Sequence, residues 1–180
     1  KCQNVVCSSK GGLHKTVFDL LDEEDNHSFM GGDLHCTGRL DIDTEGLLIL
    51  TTDGALTHKL ISPKSEITKK YAVTLREPVS PETQKQYIIN CETGLQIPPE
   101  GKEAAFTSLP AKLEFFSETT CNLTITEGKY HQVKRMFQAL GNEVIFLKRI
   151  SIGNLDLDEN LQPGEYRELS NQEINKIFSL

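Results

Sequence analysis

The spacing of apolar residues changes several times along the 180-residue chain. Val17, Leu20 and Leu21 recur at helical spacing and predict a short helix over 14–22. The run Leu47-Leu48-Ile49-Leu50 ends at Asp53-Gly54, which predicts a buried strand and then a turn. Asp53 stands where it can cap a helix carrying Leu56, Leu60 and Ile61 on one side. Residues 71–76 alternate as a strand with one solvated face does. Ser80-Pro81 places a cap residue before a proline at the first helical position, opening a helix towards Ile89. Residues 113–116 and 122–126 predict a hairpin, and 143–152 a further strand. Val133, Met136, Phe137 and Leu140 form the apolar stripe of a helix over 130–140. Ser170-x-x-Glu173 is a capping box for a last helix with Ile174, Ile177 and Phe178 facing inward.

Strands and helices interleave, but several strand pairs are joined too tightly for parallel crossovers. The expected class is α+β with a mixed, largely antiparallel sheet. No internal repeat, low-complexity tract or Pro/Gly/Ser-rich linker divides the sequence, so 1–180 reads as one integrated domain. Apolar content of 37% and charged content of 25% are ordinary for a globular chain. The longest apolar run, 46–50, is far short of a membrane span, and no leader-like segment opens the chain. Five widely spaced cysteines without a CxxC pair argue against zinc and against a disulfide framework. A reduced, cytoplasmic monomer is the expectation, with no membrane association.

Charge refines the picture. The net charge is −7, yet 59–76 holds Lys59, Lys64, Lys69, Lys70 and Arg76 against Glu66 alone. Residues 128–150 hold Lys129, Lys134, Arg135, Lys148 and Arg149 against Glu143 alone. The acid lies elsewhere, over 19–33 and from Asp156 onward. Two such segments suit a polyanion if they converge, and two solvated faces if they do not.

The candidate chemistry lies in 38–54, GRLDIDTEGLLILTTDG. Asp41-x-Asp43-x-Glu45 matches the front of a calcium loop, but the twelfth position is Thr52 rather than a bidentate acid. The following apolar run also has strand chemistry where a calcium loop needs a helix. No metal is therefore expected. The residues themselves leave open simple turn formers, or a carboxylate and Arg39 placed at one strand end.

Three separated segments, taken together, resemble the ribosomal RNA pseudouridine synthases. Gly38-Arg39-Leu40-Asp41-Ile42-Asp43-Thr44-Glu45-Gly46-Leu47 is similar to their catalytic motif G-R-L-D-x-x-T-x-G-L. Lys69-Lys70-Tyr71 resembles their K-x-Y strand opening. Residues 127–137, Glu-Gly-Lys-Tyr-His-Gln-Val-Lys-Arg-Met-Phe, resemble their third motif in the form typical of the small-subunit enzyme. Pro163-Gly164-Glu165-Tyr166-Arg167 also fits, and the likeness runs through nearly all 180 residues. Relatives carry a small N-terminal RNA-binding domain that these residues do not include. They have Lys-Pro-x-Gly where this chain has Lys1-Cys2-Gln3-Asn4.

The resemblance implies a long, bent, mainly antiparallel sheet flanked by helices, with an active-site cleft across it. It implies cofactor-independent isomerisation of a uridine in small-subunit rRNA, free or in an assembling particle. The alternatives are a large-subunit target, or a non-catalytic RNA-binding module that keeps the site residues. By resemblance Asp41 is the carboxylate acting at the sugar, Lys134 its cationic partner and Tyr71 the ring stacked on the target uracil. Arg39, Lys69, Lys129, His131 and Arg135 are the expected RNA contacts, with Arg39 able to fill the gap left by a flipped base. At about 100° per residue, Lys134 flanks the apolar stripe while His131 and Arg135 lie nearer the polar face. Thr44 and Gly46 are expected to shape the Asp41 turn.

Overall fold

The computed structural model describes residues 1–8, 12–22 and 34–179. In chain order its elements are β1 (Val5–Val6), β2 (Lys15–Thr16), β3 (His35–Cys36), β4 (Glu45–Gly46), β5 (Leu50–Thr51) and α1 (Gly54–Ile61). Next come β6 (Lys69–Leu75), α2 (Pro81–Thr93), β7 (Gln96–Ile97), β8 (Phe106–Thr107), β9 (Lys112–Phe115) and β10 (Thr120–Ile125). The chain continues through α3 (Gln132–Ala139), β11 (Val144–Ile152), β12 (Leu155–Asp156) and α4 (Asn171–Ile177). The fold is α+β. The described chain forms two compact units, Lys1–Ile67 with Arg149–Leu180, and Thr68–Lys148.

The first unit is built from both ends of the chain. β1 pairs with β2 in parallel, β3 with β5 and β11 with β12 antiparallel, and β4 also pairs with β11. Its core joins Ile49 and Leu60 to Ile152, Leu155 and Ile177, with Leu47, Leu56, Ile67, Leu169 and Phe178 against them. Asp53 caps α1 by accepting from the amides of Ala55 and Leu56. The capping box of α4 is present in both directions, Ser170 to the Glu173 amide and Glu173 to the Ser170 amide. Leu60 turns inward from α1, but Ile61 is exposed.

Two expectations are corrected in this unit. Residues 14–22 do not form an α-helix; they hold β2 and a single 3-10 turn at Phe18–Leu20. The Thr16 amide donates to the Asp19 carboxylate at 2.7 Å and the Asp19 amide to the Thr16 hydroxyl at 3.2 Å. Such local side-chain bonds give the backbone an alternative to helix. The apolar run 47–50 is not one continuous strand either. Only Leu50–Thr51 pairs as β5, while the Leu47 amide is held by the Arg149 carbonyl at 2.8 Å. Part of the acidic stretch 19–33 lies outside the described residues.

The second unit follows the expected pattern more closely. β10 lies antiparallel between β6 and β9, and β7 pairs with β8. Ser80 caps α2 from outside Pro81, and the helix packs on β9 with the Tyr87 and Phe115 rings 6.4 Å apart. Along β6, Lys69, Tyr71, Val73 and Leu75 point to the buried side. Val133, Met136 and Phe137 bury the inner stripe of α3.

Candidate nucleic-acid active site

In the first unit, Asp41 lies on a turn braced by the chain's opening residues. The Lys1 ammonium donates to the carbonyls of Asp41 at 3.0 Å, Thr44 at 2.7 Å and Cys2 at 3.0 Å. Burial pushes that ammonium below the usual lysine range, against the opposing pull of Cys7, Cys2, Asp41 and Asp43. The Thr44 amide donates to Asp41 O at 3.1 Å and closes the turn. Asn4, at φ +63°, donates its amide to Ile42 O at 2.8 Å. Asparagine tolerates this left-handed conformation better than most residues.

Gly46 ends the turn at φ +111°. A Cβ there would sit 2.2 Å from the Arg149 carbonyl oxygen, so only glycine fits without moving β11. Asp41 is half-buried and Arg39 is exposed. Thr44 is buried. The Cys7 sulfur accepts from the Leu40 amide at 3.4 Å, beside the same turn. A hydrogen bond from the Cys36 thiol, together with that amide, holds the Cys7 thiol low, at about 6, despite burial; the same contact pushes Cys36 up. A cavity of about 360 Å³ reaches the turn through Lys1 and Gly46; leucines and isoleucines dominate its walls and Asp41 is not among them.

In the second unit, Tyr71 is 7% exposed on β6, opposite Leu123 of β10. Lys134 is half-buried on α3. The loop before α3 is fixed by a network that the sequence did not single out. Glu127, itself buried, accepts from the Leu109 amide at 2.8 Å and from the Gln132 side chain at 2.7 Å. Gln132 in turn accepts from the Lys129 amide at 2.9 Å. The signal was the Glu127…Gln132 spacing, which lets two polar side chains meet across a tight turn. Lys129 stays partly exposed, 3.4 Å from Glu127 and with its ammonium over the Phe106 ring. His131 begins α3 at φ +48°, 3.6 Å from the Glu100 carboxylate, with the Tyr130 ring stacked on it.

Two of the expected RNA contacts, Arg135 and Lys69, are buried and bonded to protein carbonyls. Arg135 is only 3% exposed, and its guanidinium donates to the carbonyls of Pro98 at 2.8 Å and Ala104 at 3.1 Å. The 98–104 segment covers the helix face that its register marks as polar. Lys69 is also buried, with its ammonium 3.5 Å from the Thr126 carbonyl, because strand alternation puts it on the same side as Tyr71. Asp41, Arg39, Thr44 and Gly46 are thus brought together in the first unit. Tyr71, Lys69, Lys129, His131, Lys134 and Arg135 all belong to the second.

A family model described as RNA pseudouridylate synthase matches residues 1–139. Ribosomal small subunit pseudouridine synthase A of Vibrio cholerae is 46% identical over 178 residues, which cover 99% of this chain and 71% of that protein. The protein of the same name from Haemophilus influenzae is 44% identical over 177 residues, covering 98% of this chain and 71% of its own. A crystal structure of a pseudouridylate synthase superposes with a TM-score of 0.86 at 43% identity, covering 98% of this chain and 70% of that one.

Proposed function

The chain belongs to the RNA pseudouridylate synthase family and is an isomerase acting on RNA; from that premise we propose that it converts a uridine of small-subunit ribosomal RNA to pseudouridine. The observation that carries the reading is 46% identity across 99% of the chain to an enzyme named for that substrate. It is supported by a carboxylate turn held from three sides by main-chain and lysine hydrogen bonds.

The reaction breaks the bond between ribose C1′ and uracil N1, turns the base and rejoins it through C5; the C5 proton leaves to solvent and N1 takes one up, so the composition is unchanged. Asp41 is the proposed carboxylate, acting at C1′ or on a sugar proton; either role requires it ionised. Lys134 supplies the positive charge and Tyr71 the ring against the target uracil, where aromatic faces hold unstacked bases. Arg39, exposed just ahead of Asp41, is suited to fill the gap in the RNA stack. Lys129 and His131 are proposed to contact the RNA flanking the target. Gly46 and Lys1 hold the backbone that carries Asp41, which supports that reading.

The test is tritium release from small-subunit rRNA labelled at uridine C5, with Asp41→Asn beside the wild type. Release by the wild type alone, with RNA binding retained in the variant, is the expected outcome. Release by both variants would remove Asp41 from the chemistry. Release by neither, with RNA binding kept, would favour a binding module.

A further inference from the structure

The Tyr130 side chain is 45% exposed, yet it is not loose. Its ring lies on the His131 imidazole with centroids 3.7 Å apart and planes 24° from parallel. His131 in turn sits at φ +48°, a region that a non-glycine residue occupies only where its surroundings over-determine it, often at functional sites. Those surroundings are identifiable. The Arg135 amide donates to the His131 carbonyl at 2.9 Å, the Gln132 amide to the Lys129 carbonyl at 3.2 Å, and the Lys129 amide to the Gln132 side chain. The Glu100 carboxylate lies 3.6 Å from the imidazole Nδ1. None of these bonds is needed to bury Tyr130, which stays at the surface.

We propose that Tyr130, held by His131, is a stacking platform for an unpaired nucleobase of the RNA strand that carries the target uridine. The inference rests on the reading of the chain as an RNA isomerase and adds a residue that selects RNA context rather than one that takes part in the reaction. Every nucleobase has a π-face, so an exposed aromatic ring backed by a second ring is suited to single-stranded RNA. Lys129, the preceding residue, directs its ammonium to Glu127 and the Phe106 ring and so braces the loop that carries Tyr130. Lys134 lies four residues further along the same segment, so the platform and the proposed catalytic cation are presented by one braced loop and helix. A rigid platform loses little freedom on binding, which is why the strained backbone at His131 is useful there. The same exposed ring would also suit a protein partner, but membership of an RNA-modifying family favours RNA.

The full chain would be tested on a small-subunit rRNA fragment containing the converted uridine, as wild type, Tyr130→Ala, Tyr130→Leu and Tyr130→Phe. Dissociation constants and tritium release are both read. Tyr130→Ala and Tyr130→Leu should each weaken RNA binding and raise KM about tenfold to a hundredfold, with kcat little changed. Tyr130→Phe should stay near the wild type, and melting temperatures should match because the ring is outside the core. Abasic sites placed one at a time around the target should reveal one position where the wild type loses this increment and Tyr130→Ala loses nothing more. Unchanged binding in Tyr130→Ala, equal binding by Tyr130→Leu and wild type, or additive losses at every abasic position would overturn the platform. A wild type that releases no tritium would defeat the isomerase reading, while binding that still depends on Tyr130 would keep the platform. Binding to a protein but not to RNA would overturn it.

Discussion

The buried guanidinium of Arg135 is held by protein groups. It joins the carbonyls of Pro98 and Ala104 and lies 4.9 Å from the Phe106 ring centroid. Arg135→Met should therefore lower stability by roughly 2–4 kcal/mol, because two acceptors lose their donor and a buried charge contact disappears. Removing a phosphate ligand would instead reduce the salt slope of RNA binding by about 1; denaturant melts and a salt titration distinguish the two. Helical register alone could not find this. A wheel assigns Arg135 to the wet side on the assumption that one face of α3 is covered, whereas the 98–104 segment covers a second. Tyr130 lies outside the apolar stripe, and its exposure is visible only in the structure. Cys7 offers a pH test at the same scale. Its thiol, held near 6, is mostly thiolate at pH 7 and protonated below 6, whereas burial pushes Cys91 and Cys121 up to about 12. Iodoacetamide labelling read by mass spectrometry should show Cys7 reactivity rising through pH 6 while Cys91 and Cys121 stay inert. In Cys36→Ala that midpoint should move upward, since the stabilising thiol donor is gone.

At the level of elements, close approach matters more than hydrogen-bond count. β4 is only two residues long, yet Gly46 within it meets the Arg149 backbone too closely for any side chain. Gly46→Ala should cost about 3 kcal/mol or more, from both the positive φ and the forced shift of β11. It should also lower turnover more than RNA binding, because the Asp41 turn moves with it; thermal melts beside tritium release check both effects. The longer elements were legible because periodicity, caps and burial agree: Ser80-Pro81 before α2, the alternation of β6, and Ser170 with Glu173 before α4. The opening segment was not. Over 14–22 the apolar spacing suggested helix, but Thr16 and Asp19 satisfy each other's backbone and the Val17 amide bonds the Val6 carbonyl. Short strands such as β3 and β5 lie below the length at which alternation can be counted.

For the molecule as a whole, the candidate site was legible only as a set of separated motifs. Gly38–Leu47 alone supported a turn as readily as a catalytic group, and 127–137 alone supported an ordinary amphipathic helix. Their joint occurrence in one chain distinguished the readings, and the family match over residues 1–139 agrees with it. What patterning could not supply was the division of labour, in which Asp41 belongs to one compact unit and Tyr71 and Lys134 to another. That division has a consequence for the order of synthesis. Thr68–Lys148 is a continuous segment that can fold as soon as it leaves the ribosome, as compact units commonly do. The unit that holds Asp41 is assembled from both ends of the chain: Ile49 and Leu60 pack on Ile152, Leu155 and Ile177, and Gly46 on Arg149. The Asp41 turn therefore lacks its β11 support until residues from Arg149 onward have been made. Synthesis of the aspartate and completion of the unit that supports it are thus separated by the whole of the second unit.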